Sequence, residues 1–202
     1  MTGAVFVKNY AAPPWNRREI LRYAACGKAD GRVLSLMEEC MAEIEHMLSY
    51  RVCFARFAIK KRENELDLGF VKVQSRDLAK NLALCDEIVL FAATVGLAPD
   101  RLTARYASVS PAKSLFFDAI GAERIESLCD AFCAELKAEE AKNGGFTRPR
   151  FSAGYGDLPL SLQKEIFRAL SPERYIGATL RESLIVSPAK TVTAIVGIGK
   201  NN

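Results

Sequence analysis

The stretch Arg150-Phe-Ser-Ala-Gly154-Tyr155-Gly-Asp157-Leu-Pro159 combines three residue types that packing alone seldom places together. A guanidinium binds a carboxylate through two parallel hydrogen bonds. A glycine lets the backbone approach a ligand closely or adopt a positive φ. A tyrosine offers a flat apolar face with a polar tip. The stretch therefore predicts a small-molecule pocket built on a loop.

The same residues carry a family resemblance. Arg150-Phe-Ser-Ala-Gly-Tyr155 is similar to the RxxxGY signature of the activation (S-adenosylmethionine-binding) domain of cobalamin-dependent methionine synthase. Upstream, residues 110–132 resemble the long helix that precedes the signature in that family. Downstream, 180–183 (Leu-Arg-Glu-Ser) and 188–192 (Pro-Ala-Lys-Thr-Val) resemble its L-T-E-S and P-x-A-S-V segments. Residues 85–197 show the resemblance clearly.

The resemblance implies a ligand site on this loop. Arg150 would bind the carboxylate of the methionine moiety, and the backbone of Ser152 and Ala153 would hydrogen-bond the adenine. Gly154 would permit the close approach. Tyr155 would lie at the mouth of the site near the corrin, or would simply cover the core.

A cationic ligand needs a carboxylate, because a sulfonium and an ammonium are costly to bury without a partner. Asp130 aligns with an acidic position of the family and is our candidate, although it could equally be a solvated residue on a helix face. Arg150 could instead pair with Asp157 or Glu182 as a surface arginine. We favour Asp157 as the N-cap of the helix that follows it, and Glu182 as a structural hydrogen-bond partner.

The whole resemblance implies a module that binds S-adenosylmethionine and docks a corrinoid protein or cobalamin-dependent methyltransferase. It would support reductive methylation of the partner's cobalamin with an electron from an external donor. The module itself would need no general base, nucleophile or metal. One alternative is a non-catalytic docking partner that has lost ligand binding, since Gly156-Asp-Leu-Pro159 replaces the family's P-A-C-P run. Another is an unrelated small-molecule-binding protein.

Composition and charge narrow the class of protein. The 202 residues are 50% hydrophobic and 26% charged, with a net charge of +4, an ordinary globular balance. The basic residues cluster only at 60–62 and 148–150, which argues against nucleic-acid binding. With no signal-peptide pattern and no long apolar run, we expect a cytoplasmic protein that does not enter a membrane.

The six cysteines form no CxxC motif and lie in apolar or helical patterns, so we interpret them as reduced and mostly buried. Cys129 and Cys133 are one helical turn apart. Because no third soft ligand lies nearby and His46 is the only histidine, we favour packing over metal binding.

Periodicity and capping signals predict an α+β fold, an antiparallel or mixed twisted sheet packed with several helices. We treat residues 1–202 as a single domain in which residues 1–49 could be an N-terminal helical extension. The predicted helices are 16–25, one capped by Asp30, 75–84 capped by Ser75, one from Pro99, a longest one from Pro111 to Asn143, and 162–170. The predicted strands are 50–59 in a hairpin with 66–70, a central strand 87–94, 175–180 and 191–198.

Overall fold

A computed structural model describes residues 4–62 and 65–201. Its strands are β1 (Phe6–Asn9), β2 (Arg51–Ala58), β3 (Lys60–Arg62), β4 (Glu65–Asp67), β5 (Lys72–Val73), β6 (Glu87–Thr94), β7 (Gly145–Thr147), β8 (Thr179–Leu180), β9 (Val186–Ser187) and β10 (Thr191–Lys200). Its helices are α1 (Arg17–Tyr23), α2 (Gly31–Ile44), α3 (Arg76–Asn81), α4 (Ala98–Tyr106), α5 (Pro111–Lys142), α6 (Gln163–Leu170) and α7 (Pro172–Ile176). Short 3₁₀ turns cover Glu45–Met47 and Leu160–Leu162.

The main sheet has five antiparallel strands in the order β1-β2-β6-β10-β7. Strand β6 lies at its centre, as its continuous apolar run predicts, and every residue after Glu87 is buried. Successive side chains of β6 point to opposite faces of the sheet, so that Phe91 packs into one core layer and Leu90 into the other. The predicted α+β class is confirmed.

One face of the sheet is covered by α5, a helix of 32 residues. Phe132 on α5 contacts Phe91 of β6 and Phe54 of β2, with ring centroids 4.8 Å and 5.3 Å away. The opposite face is covered by α3, α6 and α7 together with the small sheet β3-β4-β5. The long helix therefore lies between the sheet and a further helical layer.

That further layer comes largely from the N-terminal region. Helices α1, α2 and α4 pack on α5, and Ile20, Met37 and Ile44 share a core with Phe117 and Ile120. The same region also supplies β1, an edge strand of the sheet that the sequence analysis did not predict. Its four residues, three exposed and one half-buried, carry too weak an alternation to be recognised, and β1 is defined by its pairing with β2.

Capping residues place the helix starts where the sequence predicts them. The side chain of Asp30 accepts hydrogen bonds from Arg32 N at 3.0 Å and Val33 N at 2.9 Å, and Ser75 Oγ accepts one from Leu78 N at 3.0 Å. Pro111 occupies the first turn of α5, where its missing N–H is not needed. Helix α3 ends at Asn81, three residues before the predicted end.

The predicted hairpin between residues 50–59 and 66–70 is wrong. Strand β2 is paired on both sides, by β1 and by β6, and the hairpin is formed instead by β3 and β4. Both arrangements bury the same alternating residues, so local pattern does not decide between them. Residues 175–180 were predicted as a strand, but only Thr179–Leu180 are extended, because α7 continues to Ile176.

A buried ion pair joins the N-terminal segment to α5. Arg124 is fully buried and hydrogen-bonds to Glu123, to Pro13 O at 2.6 Å and to Pro14 O at 2.8 Å. Its guanidinium also stacks over the Trp15 ring at 4.1 Å. Within the described ranges 4–62 and 65–201, no helix combines the length and apolar character needed to cross a bilayer.

Candidate ligand site at Arg150

The backbone that carries Arg150 is clamped to β10. Arg148 N donates to Gly197 O at 2.8 Å, and Phe151 exchanges two hydrogen bonds with Ile195, each of 2.8 Å. The residues after β7 therefore run along a strand that is itself part of the sheet. Arg150 projects from a rigid support rather than from a free loop, which favours a defined side-chain geometry.

Arg150 pairs with two carboxylates on α5. Its Nη2 contacts Glu126 and lies 3.3 Å from Asp130 Oδ1. Neither Asp157 nor Glu182 is its partner among the described residues, so that alternative is wrong. Glu126 and Asp130 are four residues apart, so one helix face presents both to the guanidinium. Nη1 of Arg150 is buried without a hydrogen-bond partner in the described part of the chain.

A groove of about 400 Å³ opens beside this ion pair. Its size lies in the range of small-molecule sites. Its lining residues come from α5, from β7 and the segment after it, and from β10: Asp130, Cys133, Ala134, Lys137, Thr147, Arg148, Pro149, Arg150 and Val196. Three cations and one carboxylate line it, so the groove favours an anionic group.

The residues that follow Arg150 form a tight turn outside this groove. Gly154 has a φ of +88°, a conformation that glycine adopts without strain, and its N–H donates to Leu158 O at 2.9 Å. Tyr155 N donates to Ser152 O at 3.2 Å. Ser152 and Ala153 are half-buried. The structure thus brings Arg150 and Asp130 together and places residues 152–155 on the adjoining turn.

Tyr155 points to solvent. Its side chain is 70% exposed, and its ring meets Phe151 edge-on at 5.5 Å. Leu160, at the start of the following 3₁₀ turn, lies beside Gly154 and is 46% exposed. We call these two exposed apolar side chains, Tyr155 and Leu160, the Tyr155 patch. Tyr155 does not cover the core.

Asp157 caps a helix, but a different one from the helix predicted. Its carboxylate accepts hydrogen bonds from Ser75 Oγ, from Arg76 N at 2.7 Å and from Asp77 N at 3.3 Å, all at the N-terminus of α3. The Ser75 hydrogen bond, with those of the two amides, holds the pKa of Asp157 below its usual range. The interaction ties the turn to α3 across the surface.

Replacing Asp157 with Asn is expected to lower the urea midpoint of unfolding at neutral pH. Because the folded-state pKa is depressed, the carboxylate stabilises the fold above its unfolded pKa of about 4 and stops doing so as the pH falls through the folded value. The difference between wild type and variant should therefore close in acid. Urea titrations across the acid range, with exposed Asp86→Asn as the control, would measure it. A difference independent of pH would contradict this assignment.

Asp130 also borders a second concavity. A cleft of about 280 Å³ between α1 and α5 is lined by Asn16, Glu19, Arg22, Tyr23, Glu123, Glu126, Ser127 and Asp130. Four carboxylates against one arginine make this cleft acidic, in contrast to the basic groove. Asp130, with its side chain 74% exposed, lies on the ridge that separates the two.

Other candidates take no part in this site. Glu182 lies exposed in the turn between β8 and β9, and His46 lies exposed in the 3₁₀ turn after α2. Burial raises the pKa of the Cys129 and Cys133 thiols, so both are neutral at neutral pH. Within the described ranges, no three His, Cys, Asp or Glu side chains group as metal ligands.

The sequence analysis missed Glu126. The available signal was its position one helical turn before Asp130, which puts both on one face of α5. Nothing local showed that this face meets Arg150, 24 residues further along the chain.

Comparisons with known proteins agree with this architecture. No protein-family model matches the chain, and no curated protein matches it. Thirteen chains of solved structures do match. One is the crystal structure of the MetH reactivation domain bound to AdoHcy, with a TM-score of 0.70 over 96% of this chain and 78% of that one. The chain has the fold of that reactivation domain. The sequence identity is 15%, so the comparison shows the fold alone. The fold implied by the sequence resemblance is confirmed.

Proposed function

We propose that this reactivation-domain-like protein binds S-adenosylmethionine in the groove at Arg150. The observation that supports it most is the guanidinium itself, rigidly mounted, one-quarter exposed, and with Nη1 buried and unpaired among the described residues. A buried donor without a hydrogen-bond partner costs stability, so Nη1 suggests that a ligand supplies the missing acceptor. The solved MetH domain holds AdoHcy, the demethylated product of that ligand.

Charges around the groove suggest how the ligand lies. Arg148, Arg150 and Lys137 favour the carboxylate end, and Asp130 faces the acidic cleft, where an ammonium or sulfonium is best placed. Ser152 and Ala153, on the half-buried turn beside Arg150, are our candidates for backbone hydrogen bonds to the adenine. Gly154 keeps that turn free of a side chain.

We further propose that the protein docks a corrinoid protein over the Tyr155 patch. The ligand's methyl group would pass from sulfur to the cobalt of the partner's cobalamin, with one electron from an external donor, and leave S-adenosylhomocysteine. The cofactor supplies the methyl-accepting chemistry; this chain would bind and orient the ligand and the partner. Six free cysteines are in keeping with a reducing compartment, such as the cytoplasm.

Calorimetric titration tests ligand binding. S-adenosylmethionine is expected to bind with micromolar affinity. 5′-Methylthioadenosine, which lacks the amino-acid group, should bind at least about thirtyfold more weakly because it offers no carboxylate to Arg150. Equal affinities for the two compounds would show that the amino-acid group of the ligand is not bound at Arg150. An absence of heat and of thermal stabilisation with either compound would contradict the proposed function.

Replacing Tyr155 with Ala is expected to weaken association with a cobalamin-loaded corrinoid domain by about tenfold, because exposed aromatic side chains dominate binding surfaces. The free energy of unfolding should change by less than about 0.5 kcal/mol, since the side chain is mostly in solvent. Biolayer interferometry would measure association, with exposed Leu84→Ala as the control. Unchanged association would remove the patch from the docking surface.

The second candidate function is a docking partner that has lost ligand binding. One observation favours it: Glu126 and Asp130 already neutralise Arg150. In that case the corrinoid domain would bind and S-adenosylmethionine would not. The calorimetric titration and the interferometry measurement together therefore distinguish the two candidate functions.

A further inference from the structure

The two carboxylates on Arg150 differ in environment. Glu126 is the closer partner and its side chain is 41% exposed. Asp130 is 3.3 Å away and 74% exposed. A solvated carboxylate at that distance contributes little to stability and leaves its position readily, whereas Glu126 contacts the guanidinium directly and also lines the cleft between α1 and α5.

Asp130 also lies at the boundary between a positively charged and a negatively charged surface. The basic groove with Lys137 and Arg148 lies on one side, and the acidic cleft with Glu19 and Glu123 lies on the other. A ligand that carries a negative and a positive group on neighbouring atoms would find its complement at this ridge.

We propose that the Arg150–Asp130 ion pair opens to admit the zwitterionic α-amino-acid group of the ligand, an inference that rests on the proposed function. The ligand carboxylate takes the place of Asp130 on the guanidinium, and Asp130 turns to the ligand ammonium. Glu126 keeps its contact with Arg150 throughout. One ion pair is thereby exchanged for two, and no charge is left without a partner.

The exchange makes Asp130 a residue that determines specificity. A ligand with the carboxylate but without the ammonium would still displace Asp130, and would then place two like charges side by side. Like charges at such distances are repulsive, so this ligand is disfavoured. The protein therefore selects a free amino-acid group rather than a carboxylate in general.

The test compares two ligands that differ only in the ammonium. S-adenosylhomocysteine carries it, and its deamino analogue S-adenosyl-4-thiobutyrate keeps the carboxylate alone. Wild type should prefer the first by about fivefold, the size expected of a partly exposed ion pair. Asp130→Asn should abolish that preference, with weaker binding of S-adenosylhomocysteine and equal or tighter binding of the analogue.

Two further variants serve as controls. Asp118→Asn changes another carboxylate on α5, one that pairs with Lys190, and should leave both affinities unchanged. Glu126→Gln should change the affinity for both ligands alike and keep their ratio. A preference that survives in Asp130→Asn, or that is lost in Glu126→Gln instead, would overturn the inference while ligand binding itself stands. If neither ligand binds to wild type, the proposed function fails, and this inference fails with it.

Discussion

Arg124→Met is expected to lower the free energy of unfolding by about 3–5 kcal/mol, the cost of removing one partner from a buried ion pair. Arg124 is fully buried and satisfies the carbonyls of Pro13 and Pro14 as well as Glu123. Its loss leaves two carbonyl oxygens without their donor and the buried Glu123 carboxylate without its cation, although Asn16 N and Ser127 Oγ still donate to that carboxylate. The stacking contact with Trp15 is lost as well.

A double variant separates the charge from the packing. Glu123→Leu combined with Arg124→Met removes both charges. It should recover the part of the lost stability that comes from the uncompensated carboxylate, because an apolar pair often replaces a buried ion pair at little cost, while the Pro13 and Pro14 carbonyls stay without a donor. Arg168→Met, on the exposed face of α6, should change the free energy of unfolding by less than about 0.5 kcal/mol. Urea unfolding followed by circular dichroism would measure all three.

The same experiment bears on the domain organisation. We propose that the N-terminal helices belong to one domain with the sheet, because Arg124 joins residues 13–16 to α5 and α1 and α2 share a core with it. Wild type should then unfold in a single transition. An Arg124→Met protein as stable as wild type would show that the pair contributes little to this join.

Arg150→Ala is expected to weaken S-adenosylmethionine binding by about thirtyfold or more, equivalent to about 2 kcal/mol for a lost charge pair. Arg150→Lys should recover only part of this, because an ammonium cannot reproduce the two parallel hydrogen bonds of a guanidinium. The side chain is partly exposed, and its removal leaves Glu126 and Asp130 accessible to water. The variant should therefore fold.

Calorimetry would measure the affinities, and a thermal melt would establish that each variant is folded. Arg168→Ala removes a comparably long cation far from the groove and should bind like wild type. If Arg150→Ala keeps the wild-type affinity, the ligand's carboxylate is not held at this arginine, and the groove loses its strongest support.

Local signals in the sequence carried a large part of the architecture. The apolar run of β6, the caps at Asp30 and Ser75 and the proline that opens α5 are interactions between residues close in the chain, so their pattern is visible without the fold. The RxxxGY resemblance added the type of fold and directed attention to Arg150 and Asp130, which the structure brings within 3.3 Å.

Contacts between residues distant in the chain could not be predicted from the sequence. Asp157 caps α3, about 80 residues earlier, rather than the helix beside it. Strand β2 lies between β1 and β6 and is paired along both edges, although the nearer segment offered a matching alternation. In each case several local arrangements satisfy the same residues, and only the packing of the whole core selects among them.

By itself, then, the sequence determined which segments form the main helices and the central strands, where several helices begin, and which arginine is the best candidate for a ligand anchor, because those properties depend on neighbours within a few residues. Only the tertiary structure decided that Glu126 and Asp130 face that arginine, that Arg124 is buried, and that a basic groove and an acidic cleft meet at Asp130. Electrostatic and burial energies depend on distances in space, and it is the packing of α5 against the sheet that sets those distances.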